Sequence, residues 1–294
     1  MNYIGIDIGS TCAKTVVLNE KKELILEFVQ PTGWSSVDTA EEIRQKLEFA
    51  GINLSNESSH CVATGYGRIS VPYADKTVTE ITCHAKGAHY LNPNVRTVID
   101  IGGQDIKAIS IDENGAVKNF LMNDKCAAGT GRFLEMMART LGLSLEEMST
   151  KGLEWKENIV ISSMCTVFAE SEVVSLVAQN KDVADIIHGL NVSVASKVGA
   201  LAARLGKKNP GEYMMTGGVA KNPGIIKALE EKHTHTLMEQ GMPEKTACAK
   251  ASKMANEDAR FVLPNACETK MVMTMNCRSQ PSDCQRRKFS TALS

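Results

Sequence analysis

The tripeptide Asp-Ile-Gly occurs twice in this chain, each time between two short apolar runs and each time with a lysine five positions after the glycine. In the first copy, Tyr3-Ile-Gly-Ile-Asp-Ile runs into Asp7-Ile-Gly-Ser-Thr11, and Thr15-Val-Val-Leu18 follows. In the second, Val98-Ile-Asp100-Ile-Gly-Gly-Gln-Asp105 leads into Ile106-Lys-Ala-Ile-Ser-Ile111. Asp7 maps onto Asp100, Gly9 onto Gly102 and Lys14 onto Lys107, each pair offset by 93 positions. One such segment alone is an ordinary hairpin turn. Its return at a fixed offset, between runs of strand character, reads as an internal duplication. The expected fold is α/β, with two similar domains that each present a glycine-bent hairpin to a shared cleft.

The residue types in these hairpins suit an anionic ligand. Glycine at Gly9, Gly102 and Gly103 lets backbone N–H groups approach phosphate oxygens, Ser10 and Thr11 add hydroxyl donors, and Lys14 and Lys107 add positive charge. Asp7 and Asp100, at strand ends, are candidates to hold Mg²⁺ directly or through water. Gln104 is a candidate to orient an attacking water. Further on, Tyr213-Met-Met-Thr-Gly217-Gly218-Val-Ala reads as a strand and a glycine turn, a flat surface for an adenine, and Asn222 and Pro223 open a helix over 224–231.

A second feature lies at Asn123–Glu135, NDKCAAGTGRFLE, where Cys126 precedes a glycine-punctuated run expected to open a helix. Some forty residues later, Ile159-Val-Ile-Ser-Ser-Met-Cys165 repeats the plan: a strand-like run, a cysteine, then a helix. Unpartnered N–H groups and the dipole at a helix start stabilise a thiolate or an anionic iron–sulfur cluster. A single cysteine is ordinarily a small buried hydrophobe; two at matching junctions point to a metal or redox role. Cys83 and His84, neighbours in a helix expected over 79–90, project some 100° apart and are better explained by packing. Arg68, in the Gly65–Arg68 loop, is placed beside the cleft. Glu170 and Glu172 are read as helix-capping groups or as neighbours of the nucleotide.

Composition narrows the class. With 294 residues, a formal net charge of −1 and a pI of about 6.6, the chain has the size for two domains and no basic surface for nucleic acid or anionic membrane. No signal peptide and no transmembrane run is expected, which predicts a cytoplasmic protein. Nine cysteines, an odd number without a C-x-x-C pair, argue for thiols rather than a disulfide framework.

These motifs carry a resemblance. DIGST, DIGGQD and TGGVA resemble the loops of the acetate and sugar kinase/Hsp70/actin superfamily. NDKCAAGTGRF, SSMCTVFAESEV and ATGYGR resemble the activator ATPases of 2-hydroxyacyl-CoA dehydratases, the BadF/BadG/BcrA/BcrD family. The resemblance implies an actin-like ATPase fold and a homodimer with one [4Fe–4S] cluster at the subunit interface. It also implies ATP/ADP and Mg²⁺ as cofactors, reduced ferredoxin or flavodoxin as electron donor, and a dehydratase as the partner receiving the electron. Matched by motif, Cys126 and Cys165 are the cluster ligands, while Asp7, Ser10, Thr11, Asp100, Gly102, Gly103, Gln104, Gly217 and Gly218 line the nucleotide cleft. Stoichiometry points the same way: a cubane cluster takes four thiolates, and a two-fold dimer with two per chain supplies them.

The expected division is a first domain at 1–95, a second at 96–232, and an atypical tail at 233–294, where the family's closing strand and glycine/alanine-rich helix are not evident. The tail's Cys248, Cys267, Cys277 and Cys284 are read as bystanders. Three other readings stand beside the main one: the ATPase subunit of a benzoyl-CoA reductase, a small-molecule kinase on the same fold, and an iron–sulfur redox sensor without nucleotide turnover.

Overall fold

The computed structural model describes residues 1–55, 57–163, 165–205, 212–239, 243–246 and 248. The duplication is visible in its strand pairing. The first sheet holds β1 (Asn2–Ile8), β2 (Cys12–Leu18), β3 (Leu24–Pro31), β4 (Ser59–Thr64) and β5 (Lys76–Thr77), in the order β3-β2-β1-β4-β5. The second holds β6 (Val95–Ile101), β7 (Ile106–Ile111), β8 (Val117–Asn123) and β9 (Glu212–Thr216), in the order β8-β7-β6-β9. In each, the first strand runs antiparallel to the second and parallel to the fourth. Asp7 faces Lys14 across β1 and β2, and Asp100 faces Lys107 across β6 and β7. The fold is therefore actin-like α/β, as the sequence predicts.

Period-2 alternation positions the cores. Ile4, Ile6 and Ile8 of β1 pack with Ala40, Ile43 and Leu47 of α1 (Ser36–Phe49). The second sheet is covered on both faces. Ile99 and Ile101 pack with α3 (Gly131–Thr140), α4 (Leu145–Lys151), α5 (Thr166–Ala178) and α6 (Val183–Ala203). Val98, Ile109 and Met214, on the other face, pack with Ala85 and Ala88 of α2 (Glu80–Leu91). Thus α2, assigned on sequence spacing to the first unit, packs on the second sheet, and the boundary expected at residue 95 falls inside β6. The reason is register: β6 is buried on both faces, so it needs a helix on each.

Two expected elements differ. Ile159–Ser163 forms no strand; Ser162 N and Ser163 N donate to the Glu172 carboxylate at 3.0 Å each rather than to a sheet. The helix after Cys126 begins at Gly131 with Thr130 as its cap, so Cys126 sits in the loop after β8. α6 has the length and composition of a membrane span, but Ile186, Ile187, Leu190, Val194 and Val198 are core residues of the second domain. α7 (Pro223–Glu239) runs past the segment boundary expected at 232. Cys248 is exposed; Cys267, Cys277 and Cys284 lie outside the described residues.

Candidate functional site

The two hairpin turns are built alike. Gly9 N donates to Cys12 O at 3.2 Å and Gly102 N to Asp105 O at 2.9 Å, the same positions in each copy. They meet across a cavity of about 660 Å³ lined by Gly9, Ser10, Thr11, Lys14, Gly102, Gly103, Gly217 and Gly218. The loops are close: a Cβ on Gly103 would stand 2.6 Å from Thr11 Oγ1. Tyr66 spans the same gap, its hydroxyl 3.4 Å from Asp105 Oδ2.

The duplication extends to a feature the 93-residue offset conceals. Thr64 of β4 stands opposite Asp7, and Thr216 of β9 opposite Asp100. Each threonine precedes a left-handed glycine, Gly65 at φ 85° and Gly217 at φ 92°. A side chain is barred at both: a Cβ would fall 2.4 Å from Ile8 O at Gly65 and 2.3 Å from Ile101 O at Gly217.

Electrostatically the copies diverge. Asp7 makes one ion pair, to Lys14 at 3.0 Å, and its other oxygen packs against Gly65 with no hydrogen-bond partner among the described residues. Its carboxylate is off the cavity wall; the lysine it holds is on it. Asp100 lies at the centre of a buried network. Thr216 Oγ1 donates to Asp100 Oδ1 at 2.6 Å, and His84 Nε2 is 2.9 Å from the same oxygen, in ion-pair contact off the hydrogen-bond direction. Lys107 Nζ reaches Asp105 at 2.8 Å, Glu80 at 3.2 Å and Asp100 at 3.5 Å. Burial alone would push the Asp100 pKa up, but the His84 and Lys107 charges and the Thr216 hydroxyl hold it below the usual carboxylate range. His84 is held above its ordinary value, because Asp100 and Glu80 outweigh its burial. Burial also raises Glu80, more than His84 and Lys107 lower it.

Glu80 and His84 were not legible as site residues from Cys83 and His84 as neighbours. They stand one helical turn apart, so α2 presents both to Asp100. Ligand atoms of Glu80, His84 and Asp100 lie within 4.8 Å of one another, a group able to hold a metal ion. Gln104 is exposed at the turn, and Asp105 supplies the wall there instead. Arg68 Nη1 donates to Gly65 O at 3.0 Å and shapes its own loop. Glu170 accepts from Thr140 Oγ1, and Glu172 holds the 162–163 backbone, so both serve packing in the second domain rather than the cavity.

Cys126 and Cys165 are both exposed thiols, and Cys165 caps the start of α5. Buried Cys83 and Cys61 behave as packing residues.

A family description matches residues 4–246 of this sequence, that of the BadF/BadG/BcrA/BcrD ATPases. The chain belongs to that family. The match continues past Lys232, where the motif pattern was expected to stop. The activator of lactoyl-CoA dehydratase from Anaerotignum propionicum is 43% identical over 260 residues, 88% of this chain and 99% of that protein. The crystal structure of the Acidaminococcus fermentans (R)-2-hydroxyglutaryl-CoA dehydratase component A superposes with a TM-score of 0.75 at 40% identity, covering 93% of this chain and 95% of that one. The activator of the 2-hydroxyisocaproyl-CoA dehydratase from Clostridium difficile, with bound ADPNP, gives a TM-score of 0.70 at 40% identity over 79% of this chain and 85% of that one. As a member of this ATPase family, the chain binds ATP or ADP.

Proposed function

We propose that this protein is an ATP-driven activator of a 2-hydroxyacyl-CoA dehydratase, coupling ATP hydrolysis to one-electron transfer through a [4Fe–4S] cluster shared by two copies of the chain. Relatives named as dehydratase activators support the partner class. The donor set supports the cluster: two exposed thiols per chain, one at a helix start, give four thiolates about a two-fold axis. Bound there, such a cluster supplies a one-electron carrier, loaded by reduced ferredoxin or flavodoxin. Mg²⁺ would be held by the carboxylates of Asp100 and Glu80 on the cavity wall, in place of part of their contact with the Lys107 ammonium. Asp7 acts through Lys14, and Asp105 stands where Gln104 was expected to face the nucleotide.

The observation that carries the coupling is a pair of backbone hydrogen bonds. Gly131 N donates to Gly102 O and Arg132 N to Gly103 O, each at 2.9 Å. The first turn of α3 is thereby fastened to the second phosphate loop, and Cys126 lies five residues before that turn. Domain closure on ATP moves the loop, and the loop carries the cysteine segment with it. A benzoyl-CoA reductase subunit would share this machinery and differ only in partner. A small-molecule kinase would leave the two cysteine segments without a role, and a redox sensor the nucleotide cleft.

The test is Asp100→Ala. The cluster should remain reducible by a chemical donor, while ATP turnover and ATP-dependent dehydratase activation stop. Wild-type turnover in the variant refutes the assignment.

A further inference from the structure

A second cavity, of about 700 Å³, shares no lining residue with the one between the two phosphate loops. Its walls are the segment carrying Cys126 and the segment 158–162 that leads to Cys165, and Lys197 of α6 stands between them. The lysine is positioned rather than splayed. Its stem packs along Gly129, where a Cβ would stand 3.6 Å from Lys197 Cδ, and its ammonium lies 5.3 Å from the Phe133 ring centroid. Gly129 holds φ at 93°, which also keeps that path clear of a side chain. Both Cys126 and Cys165 act electrostatically on Lys197, whose burial nonetheless lowers its pKa.

We propose that Lys197 is an electrostatic positioning residue for the cluster, a fixed cation between the two cysteine segments that favours the reduced, more negatively charged state. The proposal rests on the cluster reading above. Cluster potentials respond to net charge and to the polarity of the surroundings, and four thiolates concentrate negative charge where one side chain can offset it. One electron enters from the external donor and leaves to the dehydratase, and Lys197 exchanges neither electron nor proton. In a two-fold dimer each chain contributes one such lysine. A unit charge about 10 Å away at an effective dielectric of about 20 shifts a one-electron equilibrium by about tenfold.

The experiment is a redox titration of the anaerobically purified protein, followed by electron paramagnetic resonance, with iron counted per dimer in wild type, Lys197→Met and Lys197→Arg. Because the variant removes one charge from each chain, Lys197→Met should lower the midpoint by about 120 mV, leaving the cluster about a hundredfold less reduced at a fixed donor potential. Lys197→Arg should stay near wild type. Loss of iron in the Met variant but not the Arg variant would equally support a charge role. An unchanged midpoint in iron-replete Lys197→Met overturns the proposal and leaves the cluster reading standing. Iron loss in both variants overturns it in favour of simple packing. Absence of iron from wild type overturns both.

Discussion

Lys107→Met is the sharpest perturbation of the second phosphate loop. The Lys107 side chain is 3% exposed, and its ammonium is shared by Glu80, Asp100 and Asp105, at 2.8 to 3.5 Å. Removing one partner of a buried charge pair costs about 3–5 kcal/mol, because the remaining charge is stranded away from water. Methionine fills a similar volume, so the loss reports charge more than cavity. The cost should depend on pH. Glu80 already has a raised pKa from burial, and Lys107 is one of the charges holding it down. Without that charge Glu80 takes up a proton more readily, which relieves the stranded negative charge as pH falls. Urea unfolding of wild type and variant should show a loss of about 3–5 kcal/mol at pH 8 that shrinks toward pH 6. Lys14→Met, which breaks the ion pair to Asp7 at the matching position, should cost less. A loss below about 1 kcal/mol at pH 8, the scale of an exposed pair, would refute the reasoning. So would a loss that grows on acidification, or one equal in the two variants.

Two further outcomes follow from the same geometry. Gly217→Ala should cost about 1–3 kcal/mol in backbone strain alone, with weaker ATP binding, since its φ is 92° and the new Cβ would press on Ile101 O; Gly218→Ala, where nothing lies within 4 Å, should leave stability near wild type by the same melt. The His84 pKa is raised in the folded protein, so its stabilisation is fully present below about pH 6.5 and is lost as pH rises through the folded value. Unfolding free energy measured from pH 6 to 9 should therefore fall more steeply in wild type than in His84→Gln, and parallel curves would count against the His84–Asp100 pair.

Much of this architecture was legible because duplication fixes register. Once Asp7–Lys14 and Asp100–Lys107 were matched, the cross-strand pairs in β1–β2 and β6–β7 followed. The partner repeat, Thr64-Gly65 with Thr216-Gly217, was hidden because α3 to α6 lie between β8 and β9, stretching its offset to 152 positions. Cys126 and Cys165 were singled out because their sequence contexts match, yet Cys126 lies in a loop, Cys165 caps a helix, and the Ile159–Ser163 run misled. An apolar run looks the same whether it pairs in a sheet or lies against a helix, and here a Cβ on Gly189 of α6 would be 2.4 Å from Ile159 O. Asp7 and Asp100 look equivalent in sequence; α2 makes them different by placing His84 against the second. Lys197 carried no sequence signal, since its partners come from segments some seventy and thirty residues away.

The most direct measurement is iron per dimer after anaerobic purification of wild type, Cys126→Ser, Cys165→Ser and Cys83→Ser. The account predicts about four iron in wild type, the same in Cys83→Ser, whose thiol is buried in the α2 packing, and loss of the brown chromophore in each of the other two. Full iron retained in Cys126→Ser or Cys165→Ser would contradict it.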